Sequence, residues 1–76
     1  MTGIDITATG INICRLRKDR NITLKEMQAA FGFSTPQAIF KWQRGECLPT
    51  IDNFVILADM LGTTIDAIII KNHTAA

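Results

Sequence analysis

The stretch TLKEMQAAFGFSTPQAIFKWQRG, from Thr23 to Gly45, limits what this chain can fold into more than any other part of it. Thr23 followed by Glu26 has the spacing of a capping box, in which each side chain bonds the other residue's orphan backbone N–H. Met27, Ala30 and Phe31 recur at helical spacing, and Gly32 stands where a helix leaves through a left-handed residue. Phe33 and Ser34 make the turn. Thr35-Pro36 restarts a helix, because proline at the first helical position gives up only a donor that would be orphaned anyway. The second helix turns Ile39 and Trp42 inward and Gln37, Phe40, Lys41 and Arg44 toward another face. Two short helices joined by a glycine-containing turn form a DNA-reading unit when the second is held out from the body.

The flanking sequence supplies helices to pack against this pair. Thr7 or Thr9 is placed to cap a first helix running to about Arg20, with Ile13, Leu16 and Arg20 on one face. Residues 1–9 read as a lead-in, and Asn21 suits a left-handed exit. After Gly45, Glu46-Cys47-Leu48-Pro49 reads as a loop, and Thr50 caps a helix from Ile51 to Leu61. Ile51, Phe54, Leu57, Ala58 and Leu61 share one arc of it, and Val55, Ile56 and Met60 widen the apolar surface. Gly62 ends that helix, Thr64 restarts the chain, and Ile65 to Ile69 gives a short fifth helix. The β-branched run Ile68-Ile69-Ile70 also suits an extended strand. Residues 10–70 then form one all-α domain, a compact five-helix bundle, and residues 71–76 a tail.

Composition narrows the function. A chain of 76 residues, 47% hydrophobic and 20% charged, fits one small domain with a real core. No apolar run approaches bilayer length, and MTGIDITATG lacks the basic start and apolar stretch of a signal peptide, so a soluble cytoplasmic protein is expected. The net charge of only +1 hides an uneven distribution. Residues 1–45 carry seven basic against three acidic side chains, a net of +4, and residues 46–76 one against four, a net of −3. The basic half contains the two-helix motif, as expected if that side faces phosphates. Cys14 and Cys47 are far apart and the single histidine, His73, lies in the tail, so reduced thiols are expected and neither a metal nor another cofactor is implied. With no phosphate loop and no paired carboxylates on one element, an enzyme is not expected.

The segment from about Gly10 to about Ile70 resembles the lambda-repressor-like, Cro-type helix-turn-helix proteins of the XRE family of transcriptional regulators. LRKDRNIT before the motif, the motif itself, RGECLPTIDNF after it and the closing LGTTIDAI carry the likeness in order. The resemblance implies double-stranded DNA as the partner and transcriptional regulation, most simply repression, as the function. It also implies that Arg17 faces the end of the second motif helix, where Gln43 replaces the family's usual acid. That exchange leaves either an arginine–amide hydrogen bond or a freed arginine. Gln28 stands where the first motif helix usually carries alanine, so Ala29 or Ala38 is expected to supply the close approach. Twelve residues separate Gly32 from Gly45, one more than the common spacing, which implies a rotated or shifted second helix.

A helix in the major groove brings its first turns nearest the bases. Thr35, Gln37, Phe40 and Lys41 are the expected base contacts. Gln37 can pair with adenine, Lys41 can donate to guanine, and Phe40 can pack on a thymine methyl or be half-buried in the core. Gln37 has an alternative as well, a capping box with Ser34, and Thr35 either caps its helix or reaches a phosphate. Phosphate contacts are expected from Thr23 and Lys25 at the start of the first motif helix and from Arg44, with Arg17 and Lys18 behind them. The apolar excess at Ile56, Met60, Ile68, Ile69 and Ile70 suits a homodimer contact, or the surface of a protein-interaction module such as an antitoxin-like partner. Alternatively, Ile65, Ile68 and Ile69 complete the core and Ile70 alone is exposed.

Overall fold

The computed structural model describes residues 2–73. Along the chain lie β1 (Thr2–Ile4), α1 (Ile6–Asp19), α2 (Leu24–Phe31), α3 (Gln37–Gln43), α4 (Ile51–Leu61), α5 (Ile65–Ile68) and β2 (Lys71–His73). The expected five-helix bundle is present. A two-stranded antiparallel ribbon is added to it, with Gly3 opposite Asn72 and Ile4 opposite Lys71.

That ribbon revises the reading of both ends. Asp5 caps α1, its carboxylate accepting from the Ala8 N–H at 2.9 Å, so the helix begins before Thr7 or Thr9. Thr9 does other work: it is fully buried, and its hydroxyl accepts the Ile70 N–H at 3.0 Å. The lead-in and the start of the tail are therefore tied to each other and to α1. At the C-terminal end, α5 stops at Ile68 and Ile69 is already extended. The β-branched run splits between helix and strand, and residues 74–76 lie outside the described part.

Four helix exits use one device. After α1, α2, α3 and α4 the chain passes through a left-handed residue: Asn21, Gly32, Gly45 and Gly62. In each case paired backbone bonds close the end, for example Gly32 N–H to Ala29 O and Phe33 N–H to Gln28 O, both at 3.1 Å. These are Schellman closures, which satisfy carbonyls left over at the helix end. The starts of α2, α4 and α5 are capped by Thr23, Thr50 and Thr64, and the Thr23–Glu26 box forms in full.

The core is Ile13, Met27, Ile39, Trp42, Phe54, Leu57, Ala58, Leu61 and Ile68. Two residues expected inside are exposed. Ala30 lies about a quarter-turn off the stripe of Leu24, Met27 and Phe31 that α2 turns inward. Ile51 is 73% exposed, standing in the first turn at the margin of the buried arc of α4. Of the two readings of Ile68, contact between copies or core, the core one holds: it is 0% exposed, and Ile65 and Ile69 pack half-buried beside it. Ile65 and Ile68, three residues apart on α5, share the helical face turned to the core. Inside, Asn12 Nδ2 donates to the Ala67 and Ile68 carbonyls at 3.0 and 2.9 Å, holding α5 against α1.

The tightest approach is between α1 and α3. Gly10 is buried, and a Cβ placed there would lie 2.3 Å from the Trp42 carbonyl oxygen and 2.8 Å from that of Gln43. The close approach expected of Ala29 or Ala38, at the first motif helix, is a different one: Ala29 is exposed and Ala38 only half-buried. One helical turn or two further along, Arg17 Nε donates to Gln43 Oε1 at 3.0 Å and Arg17 Nη1 to the Ile22 carbonyl at 2.8 Å. The arginine–amide bond therefore replaces the ion pair.

Gly10→Ala is expected to destabilise the fold by at least about 2 kcal/mol, because backbone must move to admit the methyl group. Chemical denaturation checks this, and wild-type stability would show that the α1–α3 spacing is not fixed there. Arg17→Ala should lose about 1–2 kcal/mol through its charged hydrogen bonds, while Gln43→Glu should be no less stable than the wild type. Thermal melts that show no loss for Arg17→Ala, or a clear loss for Gln43→Glu, would contradict the role given to this bond.

Candidate nucleic-acid interface

The orientation of α3 is set by an aromatic cluster at the turn. Phe31 from the last turn of α2 and Phe33 from the turn stack at 5.2 Å between ring centroids, with planes 10° apart. Trp42 from α3 meets both edge-on, at 5.2 and 5.9 Å. Such pairs are geometrically selective and add about 0.5–1.5 kcal/mol beyond their buried area. Phe33, read from sequence only as a turn residue, is thus part of the clamp. The signal was its apolar side chain directly after Gly32, where a Schellman closure commonly makes a hydrophobic contact. Gln28 completes the turn by donating from Nε2 to the Phe33 carbonyl at 3.1 Å.

With Ile39 and Trp42 turned inward, Gln37, Phe40, Lys41 and Arg44 emerge on the outer side of α3 as expected, all exposed. The helix begins one residue later than expected, after Pro36, and no side chain caps it. The alternative roles for Gln37 and Thr35 as caps are therefore not taken up, and Gln37 makes no side-chain hydrogen bond among the described residues. Phe40 is 37% exposed and lines a cleft with residues of α1 rather than being buried in the core. Lys41 has no ion-pair partner among the described residues. Arg44 has one, Glu46, but both side chains are more than half exposed, where a pair contributes little and exchanges readily.

The residues expected at phosphates are placed less uniformly. Lys25 is exposed in the first turn of α2. Thr23 is engaged by its own box: its hydroxyl accepts the Glu26 N–H and donates to Glu26 Oε1, each at 3.0 Å. The Glu26 carboxylate also takes the Thr23 N–H, so Leu24 and Lys25 hold the amides left unfilled at that end. Arg17 is committed to Gln43 and Ile22 inside the fold. Lys18 is exposed on α1, beside Phe40 and Arg44 rather than beside Lys25. Cys14 is half-buried, Cys47 exposed, and both are free thiols. Among the described residues no cluster of side chains could hold a metal ion, and no helix is long and apolar enough to cross a membrane.

Comparison with known proteins adds one finding. The helix-turn-helix family model HTH_3, which covers the XRE-type, lambda-repressor- and Cro-like domains, matches residues 15–68. No curated protein and no solved structure matches the chain. The matched span runs from α1 to the end of α5 and includes the aromatic turn and the outward face of α3. A DNA-binding regulatory domain is what this family provides. By sequence match and by fold, the chain belongs to the XRE-type helix-turn-helix family.

Proposed function

We propose that the protein is a sequence-specific double-stranded DNA-binding transcriptional regulator that acts as a repressor from the cytoplasm, with α3 in the major groove. The observation that carries this reading is the outer side of α3, where Gln37 and Lys41 stand exposed and uncommitted opposite the buried Ile39 and Trp42. Gln37 offers the donor–acceptor pair that adenine needs, Lys41 donates to guanine, Phe40 meets a thymine methyl, and Thr35 stands at the start of the helix. Lys25, with the free amides of Leu24 and Lys25, and Arg44 hold phosphates on either side; Thr23 acts through its capping box, and Arg17 by fixing the end of α3, rather than by touching DNA. Lys18 reaches the backbone only at the edge of such a complex. Repression requires nothing beyond occupancy of the site.

One helix reads too few base pairs for specificity among many competing sites, so two copies are placed on one operator. The copies would read half-sites about one helical turn apart, roughly 34 Å centre to centre. The surface for this contact is smaller than the sequence suggested. Ile56 and Ile70 are exposed, Met60 and Ile69 are half-buried, and Ile68 is withdrawn into the core.

Selection of bound sites from random duplex DNA is the primary test, and failure to enrich any sequence would overturn the reading. Against the selected site, Gln37→Ala and Lys41→Ala should change which sequence is preferred, each removing about 1–3 kcal/mol of discrimination. Lys25→Ala and Arg44→Ala should weaken binding to all sequences alike. Uniform losses on specific and random DNA for all four variants would remove the base-contact assignment. For the dimer, Ile56→Asp combined with Ile70→Asp should reduce the stoichiometry on a palindromic site from two chains to one. Sedimentation of the complex measures this, and unchanged stoichiometry would exclude that surface.

A further inference from the structure

A cleft of about 460 Å³ lies between α1 and α3, on ground that the DNA reading uses only in part. Its α1 side is the stripe Ile11, Cys14, Arg15 and Lys18, spaced as one helical face, with Asp19 at its end, and its α3 side is Phe40, Gln43 and Arg44. Ile11 is 62% exposed and Phe40 37%, so the cleft's apolar part is open to solvent. The rim is cationic. Arg15 is paired with Asp19 at 3.1 Å and Arg44 with Glu46, both exposed pairs, while Lys18 has no ion-pair partner among the described residues. Gln43 is held by Arg17 and is not available to an occupant.

The same chain carries a surface of opposite character. The outer arc of α4 exposes Ile51, Asp52, Val55, Ile56 and Asp59, with Ile51 and Val55 one turn apart and Asp52 and Asp59 alongside them. Neither aspartate has an ion-pair partner among the described residues. Lengths agree as well. Ile11 to Lys18 and Asp52 to Asp59 each span seven residue steps, about 10 Å of helix at 1.5 Å per residue.

We propose that the outer face of α4 from a second copy of this chain docks in the α1–α3 cleft. Ile51 and Val55 of one copy cover Ile11 and Phe40 of the other, and Asp52 and Asp59 face Lys18 and the rim arginines. This is a helix-in-groove contact, with area from the apolar row and orientation from the charges. It joins unlike surfaces of identical chains, so it propagates head to tail unless rotation closes it. Phe40 and Arg44 belong both to the cleft and to the outer side of α3, so the contact masks that side. The contact itself does not rest on the DNA reading; the masking does.

The experiment uses two charge-reversed chains, Lys18→Glu in the cleft and Asp52→Lys with Asp59→Lys on α4, all at exposed positions, with circular dichroism confirming that both fold. In sedimentation without DNA, the wild type should self-associate with rising concentration and less so at high salt. Each reversed chain alone should associate at least about tenfold more weakly, because like charges then face each other. Mixing the two should restore association, since every cleft again finds a helix of opposite sign. A wild type that stays monomeric, an assembly indifferent to the reversals, or a mixture that fails to recover would each overturn the contact. Duplex carrying the selected site should dissociate the wild-type assembly. An assembly that binds it intact would overturn the masking, while the DNA-free arm still decides the contact.

Discussion

Backbone lies against backbone where α1 crosses the end of α3, and the fold depends on that crossing. With Gly10 there, the carbonyls of Trp42 and Gln43 sit where any side chain would be. This closeness puts Arg17 within reach of Gln43, sets Trp42 deep enough to meet Phe31 and Phe33, and leaves the opposite side of α3 facing outward. A wider spacing would loosen all three together, because interiors are close-packed and shifts in one contact are passed to its neighbours.

The second constraint is on the chain's ends. A two-stranded ribbon is marginal by itself in water. Here it is anchored from inside, through Thr9 to the Ile70 amide and through the Asp5 N–H to the Ile70 carbonyl at 2.8 Å. Asn12 adds two bonds to the end of α5. Buried polar groups this fully paired specify one arrangement, and no buried side-chain polar atom among the described residues lacks a partner. The result is that α3 is presented on a body that α5 and the ribbon cannot leave without breaking several bonds.

Function follows from what remains uncommitted. Arg17, Gln43, Gln28 and Thr23 resemble surface polar residues in sequence, yet each is engaged in holding the motif together. Gln37 and Lys41 are chemically similar to them and are left free. No sequence pattern separates the two groups, since glutamine at a helix start serves equally as a cap or as a reader of adenine. What separates them is the proximity of a partner. Phe33 likewise became an anchor because Phe31 and Trp42 converge on it.

Local chemistry was enough to place the helices and most of their limits, though not the start of α1, the start of α3 or the end of α5. Threonine caps, the Thr23–Glu26 box, and Asn21, Gly32 and Gly62 at left-handed exits act within a turn of chain, so they can be read without knowing what packs where. The apolar arcs of α3 and α4 were legible for the same reason, being fixed by helical period. Contacts between residues distant in sequence were not. Nothing local marked Gly10 as a crossing point, Thr9 looked like a cap, Ile68 suited a partner surface or the core, and residues 2–4 and 71–73 looked like loose ends. Only the tertiary structure gave them their roles, because burial and strand pairing depend on which elements meet in space, and a short chain offers each β-branched or hydroxyl residue more than one partner.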